Sequence, residues 1–79
     1  MIKNSKGEQL SEKQCAAIVG NKIRSFRKSK KLTITDLADK CEVDYSQISR
    51  MERGLLNFKY FSLLKVASAL DVDPKELQP

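Results

Sequence analysis

The sequence predicts an all-α domain of five helices. Three observations carry that expectation. Apolar residues recur at three- and four-residue spacing through most of the 79 residues, the period of a helix with one buried face. Helix-start pairs stand at Ser11/Gln14, Thr33/Asp36, Asp44/Gln47 and Asp73/Glu76, with a short polar cap before each run and a partner three residues on. No stretch shows the alternation of a half-buried strand, and no segment repeats.

Residues 1–10, "MIKNSKGEQL", are polar, hold a glycine and lack periodicity, so they are expected to be a flexible tail ahead of one domain over 11–79. Ser11 opens the first helix, with Cys15, Ile18, Val19, Ile23 and Phe26 as its apolar stripe. Gly20 interrupts that stripe, and a helical glycine costs about 1 kcal/mol relative to alanine. A bend there, or a helix that begins in earnest at Gly20, is expected. Thr33 and Asp36 open a second, short helix with Leu37 and Ala38 inside. Asp44 and Gln47 open a third after the tight turn "KCEV". Two capped helices joined by about four residues form a helix-turn-helix.

In the third helix, 100° per residue turns Gln47, Ile48 and Met51 inward over Val43. Tyr45, Ser46, Ser49, Arg50 and Arg53 spread across the outside. Gly54 supplies the left-handed residue that ends the helix. The fourth helix, "FKYFSLLKVASALDV", is expected to be capped by Asn57. Tyr60, Leu63, Val66, Ala67 and Leu70 form its inward stripe, while Phe61 and Leu64 lie off it. "DPKE" opens a fifth helix, with Asp73 as cap, Pro74 at the first position and Leu77 as anchor.

Composition narrows the function. A chain of this size buries a little over ~60% of its unfolded surface, and such a core yields roughly 3–5 kcal/mol, so association of two copies is an expected further source of stability. No apolar run approaches the ~20 residues of a membrane span, and the N-terminus lacks the apolar core of a signal peptide. Cys15 and Cys41 are too few for a disulfide framework and are not spaced as metal ligands. They read as reduced small hydrophobes in a cytoplasmic protein. The chain has no histidine, hence neither the commonest general base nor the commonest metal ligand. No nucleophile, base and orienting group assemble, so an enzyme is not expected, and no cofactor or metal is implied.

The +5 net charge is unevenly placed. Residues 1–31 hold nine Lys/Arg against two Glu, a balance of +7, and residues 32–79 hold six against eight acids, a balance of −2. Lys22, Arg24, Arg27, Lys28, Lys30 and Lys31 crowd into "NKIRSFRKSKK". A basic stripe suits a polyphosphate or an anionic membrane surface, and its plain alternative is a solvated helix face.

From about Gly20 to Leu77, "IRSFRKSKKLTITDLADKCEVDYSQISRMERG" followed by "LLKVASALDVDPKEL" resembles the Cro/repressor-type (XRE) helix-turn-helix family of bacterial and phage regulators. The elements "LT..DLA", "V...QIS..ERG" and "L..VA.AL.V" stand at that family's separations. The resemblance implies five packed helices, with the third helix in the major groove of double-stranded DNA and the second crossing the backbone above it. Base reading then falls to Tyr45, Ser46 and Arg50, with Ser49 as a further candidate. Arg50 suits guanine O6/N7, while Tyr45 suits either a thymine methyl or a phosphate. Phosphate contacts fall to the start of the second helix, at Thr33 and Thr35, and to Asn57 and Lys59. The resemblance also pairs Arg27 with Glu52 of the "ERG" element, against the alternative of Arg27 as an ordinary surface base.

Four positions depart from the family pattern. Ile34 replaces a glutamine that contacts phosphate in many relatives, Lys31 and Glu42 replace glycines, and Phe58 replaces a proline. Leu55, Leu56, Phe58 and Phe61 exceed what one helix stripe buries. They either plug the base of a small core or form the face of a homodimer reading two half-sites ~34 Å apart. An alternative dimer element is Cys15, Ile18 and Val19. The leading function is a sequence-specific, homodimeric DNA-binding transcriptional regulator acting as a repressor or activator. A second reading is an antitoxin-like module that binds a toxin and its own promoter. A membrane-surface role for the basic helix ranks last, because that helix lacks tryptophan and also carries core residues.

Overall fold

The computed structural model describes residues 2–3, 9–55 and 60–79, with side chains placed over 11–55 and 62–79. Two-residue strands β1 (Ile2–Lys3) and β2 (Gln9–Leu10) pair antiparallel. Helices α1 (Glu12–Ser29), α2 (Ile34–Cys41), α3 (Tyr45–Glu52) and α4 (Tyr60–Leu70) follow, and a 3-10 turn at Pro74–Leu77 closes the order. The expected Asn57 cap, Phe58, Leu56 and Lys59 lie outside the described residues, as do the side chains of Tyr60 and Phe61.

Four sequence expectations are corrected, one of them the Asp44 cap. The fifth helix is a 3-10 turn of four residues, so the described α-helices number four. The absence of strands gives way to β1 and β2, which are too short to carry any alternation. The helix does not begin at Gly20, because α1 runs unbroken from Glu12 to Ser29.

Three helix starts close as reciprocal capping boxes. The Gln14 N–H donates to Ser11 Oγ at 3.1 Å and the Ser11 N–H to Gln14 Oε1 at 2.9 Å. Thr33 and Asp36 repeat the arrangement at 3.0 and 2.9 Å. At the terminal turn the Lys75 N–H donates to Asp73 and the Asp73 N–H to Glu76. The Asp44 box expected on α3 is absent, since the Asp44 side chain makes no cap bond.

All four helices end alike. The N–H groups of Leu32, Val43, Leu55 and Val72 donate to the carbonyls of Arg27, Ala38, Arg50 and Ala67, five residues back. Each residue just before them takes a left-handed backbone, which is the Schellman arrangement. Those residues are Lys31, Glu42, Gly54 and Asp71, with φ of 58°, 57°, 71° and 58°. Three of the four therefore carry a side chain where glycine is the unstrained choice.

Ile23, Leu37, Ile48, Leu70 and Leu77 are fully buried. With Val19, Ala38, Cys41, Met51, Leu63, Val66 and Ala67 they form one core drawn from all four helices and the terminal turn. Val19 thus belongs to the core, while Cys15 and Ile18 are half-buried on α1. Burial pushes the Cys41 thiol above its ordinary value.

Candidate nucleic-acid interface

The helix that could meet a ligand is α3, and the first question is what fixes it. Ile48 and Met51 anchor its inner face in the core. Behind it, α1 approaches so closely that a Cβ on Gly20 would overlap the Met51 carbonyl oxygen and stand 2.8 Å from that of Glu52. A Cβ on Gly54 would stand 3.0 Å from the Ala17 Cα. Small residues at 16, 17 and 20 let the two backbones meet, so the start of α1 seats the end of α3.

A buried ion pair adds direction to that contact. Arg27 Nε donates to Glu52 Oε2 at 2.7 Å and Arg27 Nη2 to Glu52 Oε1 at 3.0 Å. The fork is bidentate and nearly out of solvent, the strong form of a charged hydrogen bond. The bond to Glu52 holds the Arg27 guanidinium above its ordinary value, against the opposing effect of burial. Arg27 Nη1 also donates to the Leu32 carbonyl at 2.8 Å. One guanidinium therefore ties α1, the α1–α2 turn and the end of α3 together. The Leu32 bond has no sequence signal, because a side chain reaching five residues ahead across a turn leaves no spacing rule.

With its inner face engaged, α3 turns the rest outward. Tyr45, Ser46, Arg50 and Arg53 are exposed, and Ser49 and Gln47 are half-buried. Tyr45 keeps 55% of its surface in solvent. Arg53 Nε reaches back to the Ser49 carbonyl at 3.4 Å. Tyr45, Ser46, Ser49 and Arg50 fall on the side of α3 away from Ile48 and Met51.

The basic residues sort by their partners. Arg27 is committed to Glu52 and Leu32. Lys22 Nζ donates to the Gln78 carbonyl, which ties it to the chain end. Arg24, Lys28, Lys30 and Lys31 are exposed, and the last three lie at the end of α1 and in the turn leading to Thr33.

The start of α2 differs from its expected form. Its capping box occupies the Asp36 N–H and places the Asp36 carboxylate on the Thr33 N–H. That backbone hydrogen bond holds the Asp36 carboxyl below its ordinary value. The amides of Ile34 and Thr35 remain as first-turn groups without an intrahelical partner. Thr33 and Thr35 are both exposed. Asn57 and Lys59 lie outside the described residues. Leu55 is 63% exposed, and its expected companions Leu56 and Phe61 are not described at the side-chain level. Among the described residues no group of His, Cys, Asp and Glu is arranged to hold a metal, and no helix is long and apolar enough to cross a membrane.

A helix-turn-helix family model, HTH_3, matches residues 23–77. The chain belongs to that family. It is a DNA-binding regulator of the XRE helix-turn-helix type. Over 61 residues it is 36% identical to the control protein C.BamHI of Bacillus amyloliquefaciens, covering 76% of this chain and 75% of that one. The fold is similar to the crystal structure of the restriction-modification controller protein C.AhdI from Aeromonas hydrophila. That similarity has a TM-score of 0.76 at 35% identity and covers 78% of this chain and 94% of the other. It is also similar to SinR, a master regulator for biofilm formation solved in complex with DNA. There the TM-score is 0.71 at 37% identity, over 75% and 95% of the two chains. The family match begins at Ile23, so Ala16, Ala17 and Gly20, which seat α3, lie ahead of it.

Proposed function

We propose that the chain is a sequence-specific transcriptional regulator that binds double-stranded DNA as a homodimer, with α3 in the major groove. The observation that carries this reading is the division of α3. One face is locked by the core, Gly20 and Arg27, while Tyr45, Ser46 and Arg50 stand together in solvent. A helix held at one edge and free at the other is what major-groove reading requires. In this reading Arg50 takes guanine O6 and N7, and Ser46 and Ser49 donate to or accept from base edges. Tyr45, at the first position of α3, meets a thymine methyl or a phosphate. Thr33 and Thr35, with the free first-turn amides of α2, bind the phosphate backbone. Asn57 and Lys59 are proposed for the backbone on the far side of α3.

The homodimer reading rests on the exposed Leu55 after α3 and on the small size of the core, with Leu56 and Phe61 as its proposed companions. Two copies related by a two-fold axis read a palindrome with half-sites about one helical turn apart. Selection of bound duplexes from random sequence tests both parts of the proposal. A palindromic motif is the expected return, and Arg50→Ala is expected to relax one position in each half-site. A motif unchanged by Arg50→Ala removes Arg50 from base reading, and enrichment of no sequence at all rejects the regulator.

A further inference from the structure

Lys31 occupies an unfavourable backbone position for a reason that core and turn do not supply. Its φ of 58° is the left-handed conformation in which glycine is unstrained, and its side chain is exposed. Packing gives no reason for a side chain here. A cation at the end of a helix is favourable toward the helix dipole, but Lys28 already provides one in the last turn of α1.

The turn that carries Lys31 is rigid. The Lys31 N–H donates to the Lys28 carbonyl at 3.0 Å, and the next N–H, that of Leu32, donates to the Arg27 carbonyl at 3.1 Å. The Leu32 carbonyl then accepts from Arg27 Nη1, the guanidinium that also grips Glu52 of α3. Lys31 therefore has a backbone set in fixed register with the reading helix. Two residues on, the capping box puts the Asp36 carboxylate at the start of α2, which disfavours a phosphate unless a cation stands nearby.

We propose that Lys31 is a phosphate-contacting residue of the DNA interface, held by the Arg27-braced turn just ahead of α2 and retained there at the expense of fold stability. This rests on the DNA-binding reading above. The contact is to the backbone, so it sets affinity and placement and does not select sequence.

The test compares Lys31→Gln, Lys31→Gly and Asp71→Gly. Asp71 takes the same left-handed conformation at the end of α4, an element with no residue in the proposed interface. Each variant is measured for Tm and for affinity to the selected duplex and to random duplex across a salt series. Lys31→Gln is expected to bind about five- to tenfold more weakly at 0.1 M salt on both duplexes, with the slope of log K against log salt reduced by about one and Tm unchanged. Lys31→Gly shows the same binding loss with Tm raised by about 4–8 °C. Asp71→Gly shows the Tm gain and keeps the wild-type slope. A wild-type slope in both Lys31 variants overturns the proposal while leaving the regulator reading intact. Failure of the wild-type chain to bind either duplex overturns the regulator reading itself.

Discussion

The two faces of α3 obey opposite rules. On the inner face Ile48 is fully buried and Met51 nearly so, Glu52 accepts two hydrogen bonds from Arg27, and any side chain at Gly20 of α1 would overlap the Met51 carbonyl oxygen. On the outer face Tyr45, Ser46 and Arg50 stand in solvent. The same eight residues thus hold both fully buried and solvent-exposed side chains. The difference separates two jobs: inner residues set where the helix sits, and outer residues remain available for what it meets. Substitutions on the two faces should therefore fail in different assays.

The largest effect is expected at the ion pair. Removing one partner of a buried pair leaves an uncompensated charge at a cost of roughly 3–5 kcal/mol, comparable with the whole stability of a domain this size. Glu52→Ala should lose cooperative thermal unfolding near room temperature or shift it far downward, as read by circular dichroism. Arg27→Ala should do at least as much, because the Leu32 carbonyl also loses its donor. A variant of either kind with near wild-type Tm would show that α3 is positioned by the core alone.

A smaller loss is expected at Gly20. Alanine there meets two backbone carbonyl oxygens, which cannot swing aside as a flexible side chain would. Overpacking of this kind costs about 1–3 kcal/mol, against a gain of about 1 kcal/mol in helix propensity. Gly20→Ala should lower the denaturation midpoint and weaken DNA binding together, because the end of α3 must shift. Arg50→Ala sharpens the contrast from the other side. Its urea midpoint should match wild type while discrimination at one base pair falls by about 1–3 kcal/mol.

The smallest effect is expected at Asp36. Its carboxyl is held below the ordinary value by the Thr33 amide, so the native state favours the ionised form. That contribution is complete above the unfolded-state value of ~3.9 and is lost as pH falls through the lowered native value. Asp36→Ala should reduce Tm slightly at neutral pH, and the two proteins should converge in acid. A difference that persists unchanged at the lowest pH would mean the carboxylate is not the group that stabilises the start of α2.

Much of this division was legible in the sequence. Ser11/Gln14, Thr33/Asp36 and Asp73/Glu76 announce themselves because a capping box needs only two polar residues three apart. The outer face of α3 follows from the period of the helix. Lys31 and Glu42 could be flagged as side chains in glycine positions, and both take the left-handed backbone. Asp44/Gln47 has the spacing of the other boxes yet forms none. Gln47 is half-buried and lines a small cavity with Cys41, Val43, Ser62 and Lys65. Gly20 was legible only as a poor helix former. That its missing side chain admits α3 depends on two segments some thirty residues apart, which no local pattern encodes. The terminal turn carried every start signal of a helix, but between Asp73 and Gln78 only four residues are available, and a 3-10 turn satisfies them.

The central claim is that the solvent-facing side of α3 is where DNA binds, and backbone amide shifts during titration with a selected duplex test it most directly. The account predicts the largest changes at Tyr45, Ser46, Ser49 and Arg50, smaller ones at Lys31, Thr33 and Thr35, and little change at Val66, Ala67 and Leu70 of α4. Changes concentrated on α4 with α3 left unmoved would contradict it.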